Sequence, residues 1–197
     1  MLATVAAVLA SAYLIGSINF AIIVMRAVGR ADPRTRGSGN PGVTNVARSA
    51  GRPLAAVILL LDLARAAIVE VAAARLCPPE AIAWAGLALL AGNRYPIWHG
   101  LRGGKGVANY LGFVASIRPL GAVVACVTWI VAHALTKVPA VASMAMAIVL
   151  AFVAAASLPF APLPLSATAL SLLLIAHAHW SNWRALKKDT VRRIVRP

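Results

Sequence analysis

Residues 81–117 read AIAWAGLALLAGNRYPIWHGLRGGKGVANYLGFVASI. An apolar run from Ala81 to Leu90 gives way near Asn93 and Pro96 to a polar loop. A second, shorter apolar run, Val107 to Ser116, begins directly behind Gly103-Gly104-Lys105-Gly106. Glycines in such a loop let the backbone come close to a ligand, and successive N–H groups ahead of a helix N-terminus make an anion cradle. Lys105 adds a point charge suited to phosphate. The run is not a Walker A loop, because Gly106 follows the lysine where that motif needs Ser or Thr. Taken alone, these residues also fit a glycine-rich membrane turn with a snorkelling lysine.

The surrounding composition places this loop in a membrane protein. Of 197 residues, 61% are hydrophobic and 12% charged, whereas a soluble domain is about half apolar and a quarter charged. The net charge of +14 would suggest nucleic acid in a soluble chain. Here the basic residues cluster in short loops and at the C-terminus, which points to cytoplasmic loops and to anionic lipid or phosphate ligands, not to nucleic acid. Cys77 and Cys126 lie far apart without histidines at metal spacing, so neither a disulfide framework nor a metal site is read.

A spanning helix needs about 20 mainly apolar residues. The expected segments are Leu2–Val28, Leu54–Leu76, Ala81 to near Asn93, a short Val107–Ser116, Leu120–Leu135, Ala140–Ala156 and Leu165–His179. Ala10-Ser11-Ala12 resembles a signal-peptidase site, but no basic residue precedes the apolar run, so a retained first span is expected. The fold class is therefore all-α: a polytopic membrane protein of seven transmembrane helices, one of them short, forming a single domain over residues 1–197. Fifteen of the 19 Lys and Arg residues fall in segments 29–52, 93–105, 136–139 and 184–197. The positive-inside rule puts those segments in the cytoplasm and the N-terminus outside. Residues 29–52 read as a polar loop and the end of the chain as a basic tail.

Three polar clusters on that face carry the chemistry. The first is Arg36-Gly37-Ser38-Gly39-Asn40-Pro41-Gly42-Val43-Thr44-Asn45-Val46-Ala47-Arg48. Hydroxyls, amides and an arginine are the donors that a phosphate or glycerol ligand needs. The second is the Gly103–Gly106 loop. The third is His177-Ala178-His179-Trp180-Ser181-Asn182-Trp183-Arg184, where His179 and Asn182 share a helix face. Asp62 and Arg65 are i,i+3 neighbours inside a span and read as a structural pair. No Ser-His-Asp pattern and no His-x-x-x-x-Asp box occurs, which suits a reaction on an already activated substrate.

In these residues the chain resembles the PlsY family of bacterial acyl-phosphate:glycerol-3-phosphate acyltransferases. Gly37 to Arg48 follows the family motif G-S-G-N-x-G-A-T-N-x-x-R with Val43 for Ala. Gly92 to Pro96 and Leu101 to Asn109 align with G-H-x-x-P and F-K-G-G-K-G-V-A-T, while His179, Asn182 and Leu186 align with H-x-x-N-I-x-R-L. The departures are Asn93 for His, Arg102 for Lys, Asn109 for Thr, Ala140 for Ser, Ala185 for Arg, and Val191 near an expected Glu.

The resemblance implies acyl transfer from a fatty acyl phosphate to the 1-hydroxyl of glycerol 3-phosphate, giving lysophosphatidic acid and phosphate without metal or cofactor. It implies a multi-pass protein of the bacterial inner membrane, embedded in the lipid bilayer, with its active site on the cytoplasmic face. Lys105, Arg48, His179 and Asn182 are the expected catalytic residues. Ser38, Gly39, Asn40, Thr44, Asn45, Gly103 and Gly104 are expected to bind substrate, the two last through backbone N–H groups and in conformations forbidden to other residues. Gly112, outside any motif, is expected to tolerate alanine. Transport of a small phosphorylated solute and a non-catalytic paralogue are the alternatives.

Overall fold

The structure, a computed structural model, describes the backbone of residues 1–195 and the side chains as far as Lys187. The basic side chains of Lys188, Arg192, Arg193 and Arg196, and Val191, lie outside the described residues. Those residues form ten α-helices: α1 (Leu2–Gly16), α2 (Phe20–Ala27), α3 (Val43–Ala50), α4 (Arg52–Leu76), α5 (Pro79–Arg94), α6 (Val107–Ile117), α7 (Pro119–Thr136), α8 (Pro139–Ser157), α9 (Pro162–Ala178) and α10 (Trp180–Val195). Each of the seven apolar segments expected from the sequence contains a helix, and the first contains two. Leu2–Ala27, α7 and α8 are each long and apolar enough to cross a membrane, and α9 with α10 makes a fourth candidate bent by 46°.

Proline sets many of the boundaries. It stands in the first turn of α4, α5, α7, α8 and α9, where its missing N–H leaves no intrahelical bond unmade. Three readings of the sequence need correction. The first span is interrupted at Ser17–Asn19, where the Asn19 side chain accepts from the Ile22 N–H and starts α2. The 29–52 loop contains a helix, α3, whose apolar residues Val43, Val46, Ala47 and Ala50 keep helical spacing but whose eight residues are too few and too polar to stand out. The tail continues as α10.

The bundle has an apolar outside and a partly polar inside. Leu60, Ile68, Ile130, Leu135, Phe152 and Leu173 are exposed, whereas Ser17, Asn19, Asp62, Arg65, Asn93, Asn109 and Ser171 are buried. Lipid is as apolar as leucine, so helices associate there through close packing and polar contacts. At the α1–α5 crossing a Cβ on Gly92 would stand 2.1 Å from the Tyr13 carbonyl oxygen. Gly112 does the same for α6 against α4: its Cβ would come within 2.8 Å of the Leu63 Cα and carbonyl oxygen. The expectation that Gly112 tolerates alanine is therefore wrong.

Helix α6, of 11 residues, is about 16 Å long. It leads away from the Lys105 loop and α7 leads back, since Gly104–Asn109 and Val138–Ala140 line the same cavity. The Arg48, Lys105, Lys137 and Asn182 segments thus gather at one end of the bundle, with the α6–α7 turn at Arg118–Pro119 pointing away from it.

Candidate active site

A cavity of about 780 Å³ opens at that end. Its wall includes Ser38, Asn40, Thr44, Asn45, Arg48, Gly104, Lys105, His179 and Asn182. Nine of the eleven residues expected from the sequence are thereby brought together from three distant segments. Gly39 and Gly103 are not on the wall.

Lys105 Nζ donates to Asn182 Oδ1 at 2.6 Å, joining the second and third clusters. Burial, with the charge of Arg94 beside it, brings the Lys105 ammonium down to about 8. His179 sits in the turn that ends α9. Its Nδ1 lies 2.8 Å from the Ile175 carbonyl oxygen, an acceptor only, so Nδ1 carries the proton and Nε2 keeps its lone pair.

Asn45 is spent on holding the first loop. Its Oδ1 accepts from the Ser38 N–H at 3.0 Å, and its Nδ2 donates to the carbonyls of Pro33 at 2.8 Å and Arg36 at 3.0 Å. Gly37, at φ +56°, passes so close that a Cβ would stand 2.4 Å from Asn45 Oδ1. Arg34 ties the same loop to the next by donating to the His99 carbonyl at 2.8 Å. Ser38 and Arg48 themselves are exposed at the mouth.

The glycine cradle differs from expectation. The Gly103 N–H donates to the Arg94 carbonyl at 3.2 Å and the Gly104 N–H to the Asn93 carbonyl at 2.9 Å, so both are engaged within the loop. Neither glycine has a positive φ; Gly106 does, at +85°, as do Gly100 and Leu101 earlier in the loop. Gly103 is required by contact, since a Cβ there would lie 2.0 Å from the Asn93 carbonyl oxygen. The unmatched N–H groups belong to helix N-termini. First-turn amides have no intrahelical acceptor, and no side chain caps α3, α6 or α8. Gly42–Thr44, Gly106–Ala108 and Val138–Ala140 all line the cavity, so three positive dipole ends converge on it beside Lys105 and Arg48.

Residues that sequence reasoning missed form the inner wall. Leu59, Leu111, Cys126, Trp129 and Met146 make it apolar, with the exposed Ile130 at its edge, and Trp129 Nε1 donates to Ser143 Oγ at 3.3 Å. In a chain this hydrophobic, nothing marks such residues as lining a cavity. Asp62 and Asn93 also reach it. Four motif departures, Asn93, Asn109, Ala140 and Ala185, lie on the wall.

The comparisons with known proteins agree with this arrangement. The family model described as glycerol-3-phosphate acyltransferase matches residues 6–189. A protein named glycerol-3-phosphate acyltransferase from Methylobacillus flagellatus is 45% identical over 139 residues, covering 70% of each chain. One of the same name from Neisseria meningitidis serogroup C is 43% identical over 140 residues, covering 68% of this chain and 70% of the other. A crystal structure of PlsY, an integral membrane glycerol 3-phosphate acyltransferase, in its glycerol 3-phosphate form superposes with a TM-score of 0.86 at 28% identity, over 98% of this chain and 99% of that one. Its lysophosphatidic acid form gives 0.83 at 28% identity, over 94% and 92%. This integral membrane chain belongs to the PlsY family of glycerol-3-phosphate acyltransferases.

Proposed function

We propose that the protein transfers a fatty acyl group from an acyl phosphate to the 1-hydroxyl of glycerol 3-phosphate, on the cytoplasmic face of a bacterial inner membrane. The observation that carries this reading is the cavity's two-sided character. Lys105, Arg48 and three uncapped helix N-termini face one part of it, and Leu111, Trp129 and Met146 face another. That suits a pair of substrates with phosphate heads, one of which carries an alkyl chain. The relatives' name and the two ligand forms of PlsY support it.

In this scheme the cations and helix ends hold two phosphate groups that would otherwise repel, and the acceptor hydroxyl is set against the acyl carbon. Asn182 is itself held by Lys105 and orients oxygens, as do Ser38, Asn40 and Thr44 at the mouth. The hydroxyl oxygen adds to the acyl carbon, the carbon–oxygen bond to the phosphate breaks, and phosphate departs. The Nδ1–H of His179 is spent on the Ile175 carbonyl, and the departing phosphate, set beside the acceptor hydroxyl, takes the hydroxyl proton. Orientation and charge stabilisation supply the rate. Incubation of the purified protein with palmitoyl phosphate and glycerol 3-phosphate should release phosphate only when both are present. Release without the acceptor would identify a phosphatase instead.

A further inference from the structure

The loop that carries Lys105 leaves α5 at Asn93 and enters α6 at Asn109, and one side chain of α4 grips both residues. Arg65 Nη2 donates to Asn93 Oδ1 at 2.9 Å, and Nε donates to Asn109 Oδ1 at 2.7 Å. Nη1 donates to the carbonyls of Gly16 at 3.1 Å, Ile15 at 3.4 Å and Ile18, where the break after α1 frees them. Asp62, one turn earlier, lies 2.9 Å from Nη2. Relative exposure is 7% for Asp62, 4% for Arg65 and Asn93, and 1% for Asn109.

We propose that Arg65 is a positioning residue for acyl transfer: its guanidinium clasps Asn93 and Asn109 and so sets the 94–106 loop, and Lys105 within it, against the cavity. The proposal rests on the function stated above. Asn93 is rigidly coupled to the loop. Its carbonyl accepts the Gly104 N–H at 2.9 Å, and a Cβ on Gly104 would stand 3.0 Å from Asn93 Nδ2 and 3.2 Å from the Pro41 carbonyl. A shift of Asn93 therefore moves the residue next to Lys105. Asn109 belongs to the first turn of α6, whose N-terminus faces the cavity. Only a planar fork with several donors reaches two amides on different helices; an ammonium on a flexible stem does not. Asn93 and Asn109 are also two of the positions at which this chain departs from the family motif, and both departures supply the carbonyl acceptors that the guanidinium uses.

The test uses the full chain in detergent and three variants. Arg65→Lys keeps the charge and loses the fork. Asp62→Asn with Arg65→Gln removes both charges, so no buried charge is left unpaired. Leu150→Ala, which removes core packing behind the cavity wall and no polar contact of the clasp, is the control for plain loss of stability. Trypsin cleavage after the exposed Arg102 should be at least about tenfold faster in both clasp variants than in Leu150→Ala at equal loss of melting temperature. The kcat/KM for glycerol 3-phosphate should fall at least about tenfold, and the alkaline limb of its pH profile should move up as Lys105 gains water. Wild-type cleavage at Arg102 with an unmoved alkaline limb in either folded variant would overturn the clasp. So would losses that follow melting temperature as they do in Leu150→Ala. If one clasp variant does not fold, the other decides; if neither folds, Asn93→Ala, which removes one arm and no charge, must show the same faster cleavage, and its absence rejects the proposal. If the wild-type chain transfers no acyl group, the functional reading fails, and cleavage at Arg102 still decides the clasp.

Discussion

Lys105 and Asn182, 77 positions apart in the chain, meet at 2.6 Å, and the proposed chemistry turns on that contact. Lys105 is about half-buried and faces a cavity, so its loss should cost activity far more than stability. Lys105→Ala should lower kcat/KM at least about a hundredfold, the range seen when one preorganised charge donor is removed, with a melting temperature close to wild type. The ammonium's displacement to about 8 by burial and by Arg94 gives a sign as well. The charged form is needed, so kcat/KM holds up to about pH 8 and falls above it, whereas an unperturbed lysine would hold past pH 9. A flat profile to pH 9.5 would remove Lys105 from the reaction. Residue types were legible in the sequence because glycine, hydroxyl, amide and arginine in a mainly hydrocarbon chain have few other uses. Their division of labour was not. Asn45 serves its own loop, the Gly103 and Gly104 N–H groups serve the chain around them, and the helix ends that face the cavity are not recognisable as helix starts from the motifs that contain two of them.

Helices carry the site through close approach. The short α6 is wedged against α4 at Gly112, and a methyl group there meets backbone, which cannot swing aside as a side chain can. Gly112→Ala should therefore destabilise the protein by about 1–3 kcal/mol, read as a lower thermal midpoint in detergent; an unchanged midpoint would mean that α6 can slide away from α4. The sequence reading went wrong here because a glycine between apolar neighbours looks the same whether it meets lipid or another backbone. Apolar runs bounded by proline were legible because length and hydropathy suffice to identify them. Helix α3 was hidden because it is only eight residues long, flanked by glycines, and its packing onto α4 is tertiary. The break at Ser17–Asn19 was hidden because hydropathy alone does not register a three-residue interruption. Arg65 illustrates the limit well: its i,i+3 partner Asp62 was visible, while Asn93 and Asn109 become its partners only when α4, α5 and α6 are packed.

At the scale of the whole molecule, four basic segments converge at one end of the bundle and the Arg118 turn points away from it. In a background without Cys77 and Cys126, cysteines placed at Arg36 and Lys187 should resist a membrane-impermeant thiol reagent in intact cells, and one at Arg118 should react. The reverse pattern would invert the topology. Family membership was legible from three motifs read together, since no single one is specific. The two-sided cavity was not, because its apolar wall comes from helices that look alike in sequence. The central claim is that this cavity joins an acyl chain to glycerol 3-phosphate at the expense of an acyl phosphate. The direct measurement is the mass-spectrometric yield of lysophosphatidic acid against phosphate, from purified protein given palmitoyl phosphate and isotopically labelled glycerol 3-phosphate. The account predicts labelled 1-palmitoyl lysophosphatidic acid and phosphate in equal amounts, both lost in Lys105→Ala. Phosphate without labelled lipid, or labelled lipid formed equally well by Lys105→Ala, would contradict it.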